Sequence, residues 1–492
     1  MRSSVSGGGR SAVGWLAAGW FILGCATPGT DGGTAPEPPT PPPASLSVFR
    51  GSLVLGTPTL RSIRANIHSA TQQGSAYLVY GTASGTYPHR SATLAITPDI
   101  PGEILLDDLA ADTRYYYRLV FTPTGGTPGS GPERTFQTAR ASGRTFTFAL
   151  QGDSHPERLR QQFDSALYVR TLQTAAQDAP DFYFLLGDDF SIDNINAANP
   201  AAVTATQVRE RYLVQRPFLG LIGDRAPLFL VNGNHEQAAR YLLDGTPNNP
   251  AVWAQNARNT LFPQPAPDGF YSGNPENVPH IGLLRNYFAF TWGDALFVVL
   301  DPYWGSPVCV DNPFYGGEKR PDIWAVTHGD AQYQWLTRTL AQSTARYKFV
   351  FAHHVMGTQR GGIEVARLYE WGGQSPGGQM DFAARRPSWP LPIHDLFVRH
   401  GVTAFFQGHD HIWAHQSLDG VVYQTLSEPA DPNYSLFNAD AFRSGETHPN
   451  SGYTRVTVGP AGVTIAYVRV FLPADEGPGR VSGSVAASYT LP

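Results

Sequence analysis

The stretch TFTFALQGDSH, residues 145–155, decides how this chain is read. Residues 145–150 form an apolar run of the length of a buried strand. Gly152, Asp153, Ser154 and His155 follow at once. A glycine there lets the backbone turn sharply, so a carboxylate and an imidazole stand at the strand's carboxyl end. Working outward, Leu159, Phe163, Leu167 and Leu172 recur at helix-like steps and predict a helix over residues 156–176. A strand over 182–186 leads to Gly187-Asp188-Asp189, and one over 226–231 leads to Gly233-Asn234-His235-Glu236. Residues 348–352 lead to His353-His354, and residues 402–406 to Gly408-His409-Asp410-His411. Stretches 287–291 and 295–300 flank Gly293-Asp294, a hairpin signal. Strands alternating with helices predict an α/β sheet packed between layers. Ligands of open α/β sheets bind at the carboxyl ends of strands, so five such ends converge on one crevice.

The chain before this region is of another kind. Residues 45–138 hold short alternating stretches, such as 64–68, 76–80 and 115–121, between Gly, Pro, Asp and Thr clusters, which predicts a β-sandwich. Within it, LAADTRYYY (109–117) resembles the tyrosine-corner segment of fibronectin type III domains. Residues 25–44 carry so much Pro, Gly and Thr that they read as a tether. Arg2 and Arg10 precede an apolar run over 12–23 that ends in Ile22-Leu23-Gly24-Cys25, the pattern of a signal peptide over residues 1–24. The cysteine after Gly24 resembles the lipobox of bacterial lipoproteins, and Ala26 after it resembles those sorted to the outer membrane of a diderm cell. The chain is therefore expected to be exported and held at the cell envelope by a lipid on Cys25. Cys309 is the only other cysteine, so no disulfide framework is expected, and it reads as a small buried residue. A net charge of −5 over 492 residues supplies no basic footprint for nucleic acid and no polybasic membrane patch.

Taken singly, each polar block is an ordinary turn. Together, Asp153/His155, Gly187-Asp188, Gly233-Asn234-His235-Glu236, His353 and Gly408-His409-Asp410-His411 resemble the five blocks of the calcineurin-like metallophosphoesterase superfamily. The resemblance implies a four-layer α/β/β/α domain over 143–470, preceded by a sandwich similar to the N-terminal domain of purple acid phosphatases and followed by a tail over 471–492. It implies that Asp153, His155 and His411 hold one metal, that Asn234, His353 and His409 hold another, and that Asp188 bridges the two. His354 is the alternative to His353. Mixed oxygen and imidazole donors suit Fe, Mn or Zn better than Ca or Mg. One departure is plain. Purple acid phosphatases have a tyrosine three residues after the bridging aspartate, where this chain has Ser191, so no phenolate-to-iron colour is expected.

The expected chemistry is hydrolysis of a small phosphate ester. Two cations about 3.5–4 Å apart lower the pKa of a bridging water, so hydroxide is available near neutral pH, and they neutralise charge developing on the phosphoryl group. His235, outside the ligand set, would donate a proton to the leaving group or bind a phosphate oxygen. Asp410 and Glu236 are expected to fix histidine tautomers. The competing reading, an exported binding lipoprotein whose sandwich is the working part, would be favoured by a missing ligand, and none is missing. The loops 237–285, 302–330 and 356–394 should surround the crevice and carry Arg320, Arg360, Arg385 and Arg386, none of which is assigned a role. Substrate and oligomeric state are not legible.

Lipidation makes a direct prediction. Cys25→Ser should release the protein from the membrane fraction and change its mature mass, read by fractionation and mass spectrometry. Recovery from the same fraction at unchanged mass would overturn it.

Overall fold

A computed structural model describes residues 49–311, 313–315, 317–319, 321–356 and 359–492. The signal segment, the tether with Cys25, and Arg320 lie outside the described residues.

The N-terminal region is β-rich. Strands β1 (Ser52–Gly56), β2 (Ile63–His68) and β4 (Gly102–Leu106) make a three-stranded sheet. A second sheet of six strands is built on β3 (Gly74–Gly81), β5 (Arg114–Pro123) and β6 (Arg134–Gln137). Alternation decides which side chains enter the core between them: Tyr115, Tyr117, Leu119 and Phe121 point inward from β5. The Tyr115 hydroxyl accepts a hydrogen bond from Ala110 N at 2.8 Å, the contact that the tyrosine-corner resemblance implies.

The larger region opens with β7 (Phe146–Gln151), which pairs in parallel with β8 (Tyr183–Leu185), itself parallel to β9 (Leu228–Leu230). A hairpin of β10 (Phe288–Trp292) and β11 (Ala295–Val299) starts a second sheet, continued in parallel by β12 (Tyr347–Phe351) and β13 (Ala404–Gln407). The six-stranded and eight-stranded sheets face each other across a core of phenylalanines. Phe148, Phe182, Phe184, Phe229, Phe290, Phe297, Phe349, Phe351 and Phe406 meet there, several stacked and several edge to face. The outer face of the first sheet is covered by helices α1 (Ser165–Gln177), α2 (Ala205–Gly223) and α3 (Pro250–Leu261). Helices α4 (Asp330–Gln342) and α5 (Ile393–Arg399) cover the outer face of the second. The result is the four-layer α/β/β/α arrangement expected.

Two boundaries differ from expectation. The helix predicted over 156–176 is split: a 3-10 turn, Pro156–Arg158, is followed by α1. Asp164 causes the restart, because its side chain caps α1 by accepting from Leu167 N. Residues 471–492, expected as a tail, end in β14 (Val485–Leu491), which pairs along Gly462–Arg469 and completes the first sheet. Its inward and outward residues alternate too weakly to read as a strand before the sheet edge is seen.

The sandwich docks on α2. Gly223 lets the two backbones approach, since a Cβ there would stand 3.1 Å from Val54 Cγ1. Arg216, 1% exposed, donates to Ser52 Oγ at 3.0 Å and to Asn66 O at 2.9 Å, while Asn66 Nδ2 donates to Thr260 O at 3.0 Å. Burial lowers the Arg216 guanidinium to about 9. Tyr117 OH and Arg134 both bond to Asp224. Arg216→Ala opens a cavity and strips the Asn66 carbonyl of its donor, so it should destabilise the chain by about 2–4 kcal/mol in urea titration. Turnover per folded molecule should not change.

Candidate metal centre

Five strand ends meet at one edge of the two sheets. β7 delivers Asp153 and His155, β8 delivers Asp188, β9 delivers Asn234 and His235, β12 delivers His353, and β13 delivers His409 and His411. All but His235 are at most 5% exposed. His155, Asp188, His409 and His411 have φ of 44°, 59°, 69° and 59°, a left-handed conformation uncommon outside glycine that Asp and His adopt more readily than most residues. The glycines are fitted to the crowding of these side chains. A Cβ on Gly233 would lie 2.2 Å from Asp188 Oδ1, and one on Gly187 would lie 2.7 Å from His353 Nδ1.

The side chains form overlapping clusters. Asp153, His155 and His411 bring ligand atoms within 4.8 Å of one another, and so do Asp188, His353 and His409. A third group, His155, Asp188 and His235, joins them through Asp188. His411 Nε2 is 3.2 Å from Asp153 Oδ2, and His353 Nε2 is 3.0 Å from Asp188 Oδ2. Asp188 Oδ2 is also 3.9 Å from His155 Nε2 and 3.8 Å from His235 Nε2. His353 is in a cluster and His354 is not: His354 Nε2 lies 3.2 Å from the Tyr303 hydroxyl.

These residues fit bound metal cations. His155 Nε2 and both polar atoms of Asn234 are buried with no hydrogen-bond partner, and Asp153 Oδ2 and His353 Nε2 meet only other members of the clusters. Buried polar atoms without partners are costly, and a bound cation satisfies such oxygen and imidazole donors together. Burial alone would raise the Asp188 and Asp153 carboxyls, yet the facing imidazoles of His353 and His411 hold both below the usual range. The anionic form that a cation needs is thus the form favoured here.

The supporting shell departs from expectation. Neither Glu236 nor Asp410 touches an imidazole. Glu236 instead accepts from the backbone N–H groups of Asp188, Asp189, Phe190 and Gly233 at 2.5–3.1 Å, tying two strand ends together. Asp410 accepts from Gly361 N at 3.0 Å and Arg360 Nη1 at 3.4 Å. The carboxylates that do meet imidazoles are Glu157 at His155, Asp193 at His235 and Glu428 at His411. Only Glu157 had a local signal, two residues after His155. Asp193 and Glu428 arrive through loops. Ser191, where a tyrosine would stand in purple acid phosphatases, lies with its Oγ 3.2 Å from His155 Nδ1. Cys309 is buried, and burial raises its thiol.

A four-layer α/β/β/α fold with a cluster of carboxylates and imidazoles at its strand ends defines a metal-dependent hydrolase. Residues 146–413, more than half of the chain, match the calcineurin-like phosphoesterase family. The chain belongs to that family and is a phosphoric ester hydrolase. No curated protein matches it. Among solved structures, it is similar to the purple acid phosphatase PPD1 from yellow lupin (Lupinus luteus) seeds, with a TM-score of 0.55 and 14% identity over 89% of this chain and 73% of that one. It is also similar to PhoD, with a TM-score of 0.59 and 17% identity over 89% of each chain. At these identities the likeness is one of fold.

Asp188 lies beside histidines of both clusters, so Asp188→Ala should lower the metal bound per chain, with turnover lost. Metal analysis of the purified variant beside the wild type checks this.

Proposed function

We propose that this enzyme hydrolyses small phosphate esters with two ions of Fe, Mn or Zn. One is held by Asp153, His155 and His411, the other by Asn234, His353 and His409, with Asp188 shared between them. The observation that carries this reading is the position of Asp188, whose carboxylate belongs to the cluster of His353 and His409 and also lies 3.9 Å from Nε2 of His155, a member of the other cluster. Bound there, the ions supply Lewis acidity toward phosphoryl oxygens and toward water.

His235 is the residue proposed to face the substrate. Its Nδ1 lies 2.8 Å from Asp193 Oδ2, which turns Nε2 toward the cluster. Burial alone would lower the imidazole, but the Asp193 and Asp188 carboxylates outweigh it and raise the ring to about 10. An imidazole so held keeps a proton at Nε2 to donate to a leaving-group oxygen. His235 Nε2 lies 3.8 Å from Asp188 Oδ2, so that proton stands beside the cations' proposed position.

Export and anchoring through a lipid on Cys25 remain part of the proposal, and their support is the sequence of residues 1–25. The sandwich is proposed as an accessory domain over 45–138, with the catalytic domain starting at 143. Its support is that no residue of the clusters comes from the sandwich.

His235→Ala should keep both metals and lose roughly 10²–10⁴-fold in rate. The loss should shrink for esters with low-pKa leaving groups, which need no proton. Metal content and rates over a leaving-group series test this together. If the variant loses metal, or slows good and poor leaving groups equally, His235 is not the acid.

A further inference from the structure

The two cation positions are backed differently. Behind the Asp153–His155–His411 position stand two further carboxylates. His155 Nδ1 donates to Glu157 Oε1 at 2.8 Å, and Glu428 Oε2 lies 3.0 Å from His411 Nδ1. Their side chains are 5% and 0% exposed. What distinguishes them from the other acids nearby is that the imidazoles are their only hydrogen-bond donors. Glu236 has four backbone N–H groups, Asp189 has Ser154 Oγ and Gln151 Nε2, and Asp410 has Gly361 N and Arg360. Apart from the His411 imidazole, Glu428 has no donor on either oxygen, and Glu157 Oε2 is buried without a partner. The nearest guanidinium to Glu157 is that of Arg158, with its Nε at 3.6 Å.

The second position lacks this backing. Asn234 is neutral, and His353 Nδ1 donates to a backbone carbonyl, Leu186 O, at 2.7 Å. Asp311 is 3.9 Å from His409 Nε2 and is paired with Lys319 at 2.8 Å. Counting Asp188 as shared, the first position gathers Asp153, Glu157 and Glu428, against a lysine-paired Asp311 at the second.

Buried anions without donors are strongly disfavoured unless positive charge is near. A carboxylate behind an imidazole fixes its tautomer and ring angle and makes the opposite nitrogen a better donor to a metal. We propose that Glu157 and Glu428 are positioning residues that make the Asp153–His155–His411 position the tighter of the two, acting through the imidazoles of His155 and His411. The inference rests on the metal-centre reading above. The two glutamates come from separate segments, the 3-10 turn Pro156–Arg158 and the loop after Val421–Thr425, so each can be changed without the other.

The test loads the full chain with Co²⁺, dialyses it against a graded chelator, and follows metal per chain together with the cobalt absorption spectrum. The wild type should release its ions in two steps. Glu428→Gln and Glu157→Gln should each move the tighter step to about 10–100-fold lower chelator, alter the cobalt spectrum of that step, and leave the weaker step in place. An unchanged tighter step, or parallel weakening of both steps in chains with wild-type circular dichroism, overturns the proposal. Should one variant fail to fold, the other decides by the same criteria. A wild-type chain that binds no cobalt would overturn the metal-centre reading itself, which distinguishes the two failures.

Discussion

Asp188 is the point on which the site turns. Its N–H donates to Glu236, its Oδ1 accepts from His235 N at 2.9 Å, and its Oδ2 faces His353, His155 and His235. A carboxylate buried to 1% exposure among imidazoles requires compensating positive charge, and this requirement organises what surrounds it. Gly187 and Gly233 are small because Asp188 and its neighbours leave no room for a Cβ. Asp188 itself has φ of 59°, in the left-handed region, just past the end of β8.

Such strain persists only on a rigid support. The two sheets provide it through their phenylalanine core, in which Phe184 stacks on Phe351 at 4.4 Å and Phe351 on Phe406 at 5.2 Å. These rings lie in β8, at the end of β12 and in β13, the strands that deliver Asp188, His353, His409 and His411. Aromatic stacking across the sheets therefore sets the spacing of ligands from different sheets. The sandwich acts further out. It grips α2 through Arg216, and the neighbouring Gln215 donates to Ser154 Oγ at 2.6 Å, inside the first polar block. A helix held on one face by the sandwich thus touches the loop of Asp153 and His155 on the other.

The asymmetry of the centre has a chemical consequence. Where a purple acid phosphatase has a tyrosine, this chain has Ser191, which approaches His155 Nδ1 and adds no charge. On the proposed reading, Glu157 and Glu428 bring negative charge up behind the imidazoles of His155 and His411. Arranged so, charge strengthens the imidazole donors without occupying a coordination place.

The α/β/β/α layering was implied by the family resemblance, while the sequence by itself determined that a β-rich region precedes an α/β region and which eight polar residues stand at the strand ends. These are local properties: an apolar run of strand length, a glycine, and one or two donors within the next four residues. Tertiary structure alone decided the partners of the imidazoles. Glu236 and Asp410, adjacent in sequence to predicted ligands, turn to backbone N–H groups, while Asp193 and Glu428 reach His235 and His411 from loops that chain order does not place near them. Tertiary structure likewise made an edge strand of Val485–Leu491, whose half-exposed alternation has meaning only beside Gly462–Arg469. The physical reason is the same in both cases. A donor at a strand end is specified by a few neighbouring residues, whereas a hydrogen bond or a strand pairing across the chain depends on where packing brings a second segment.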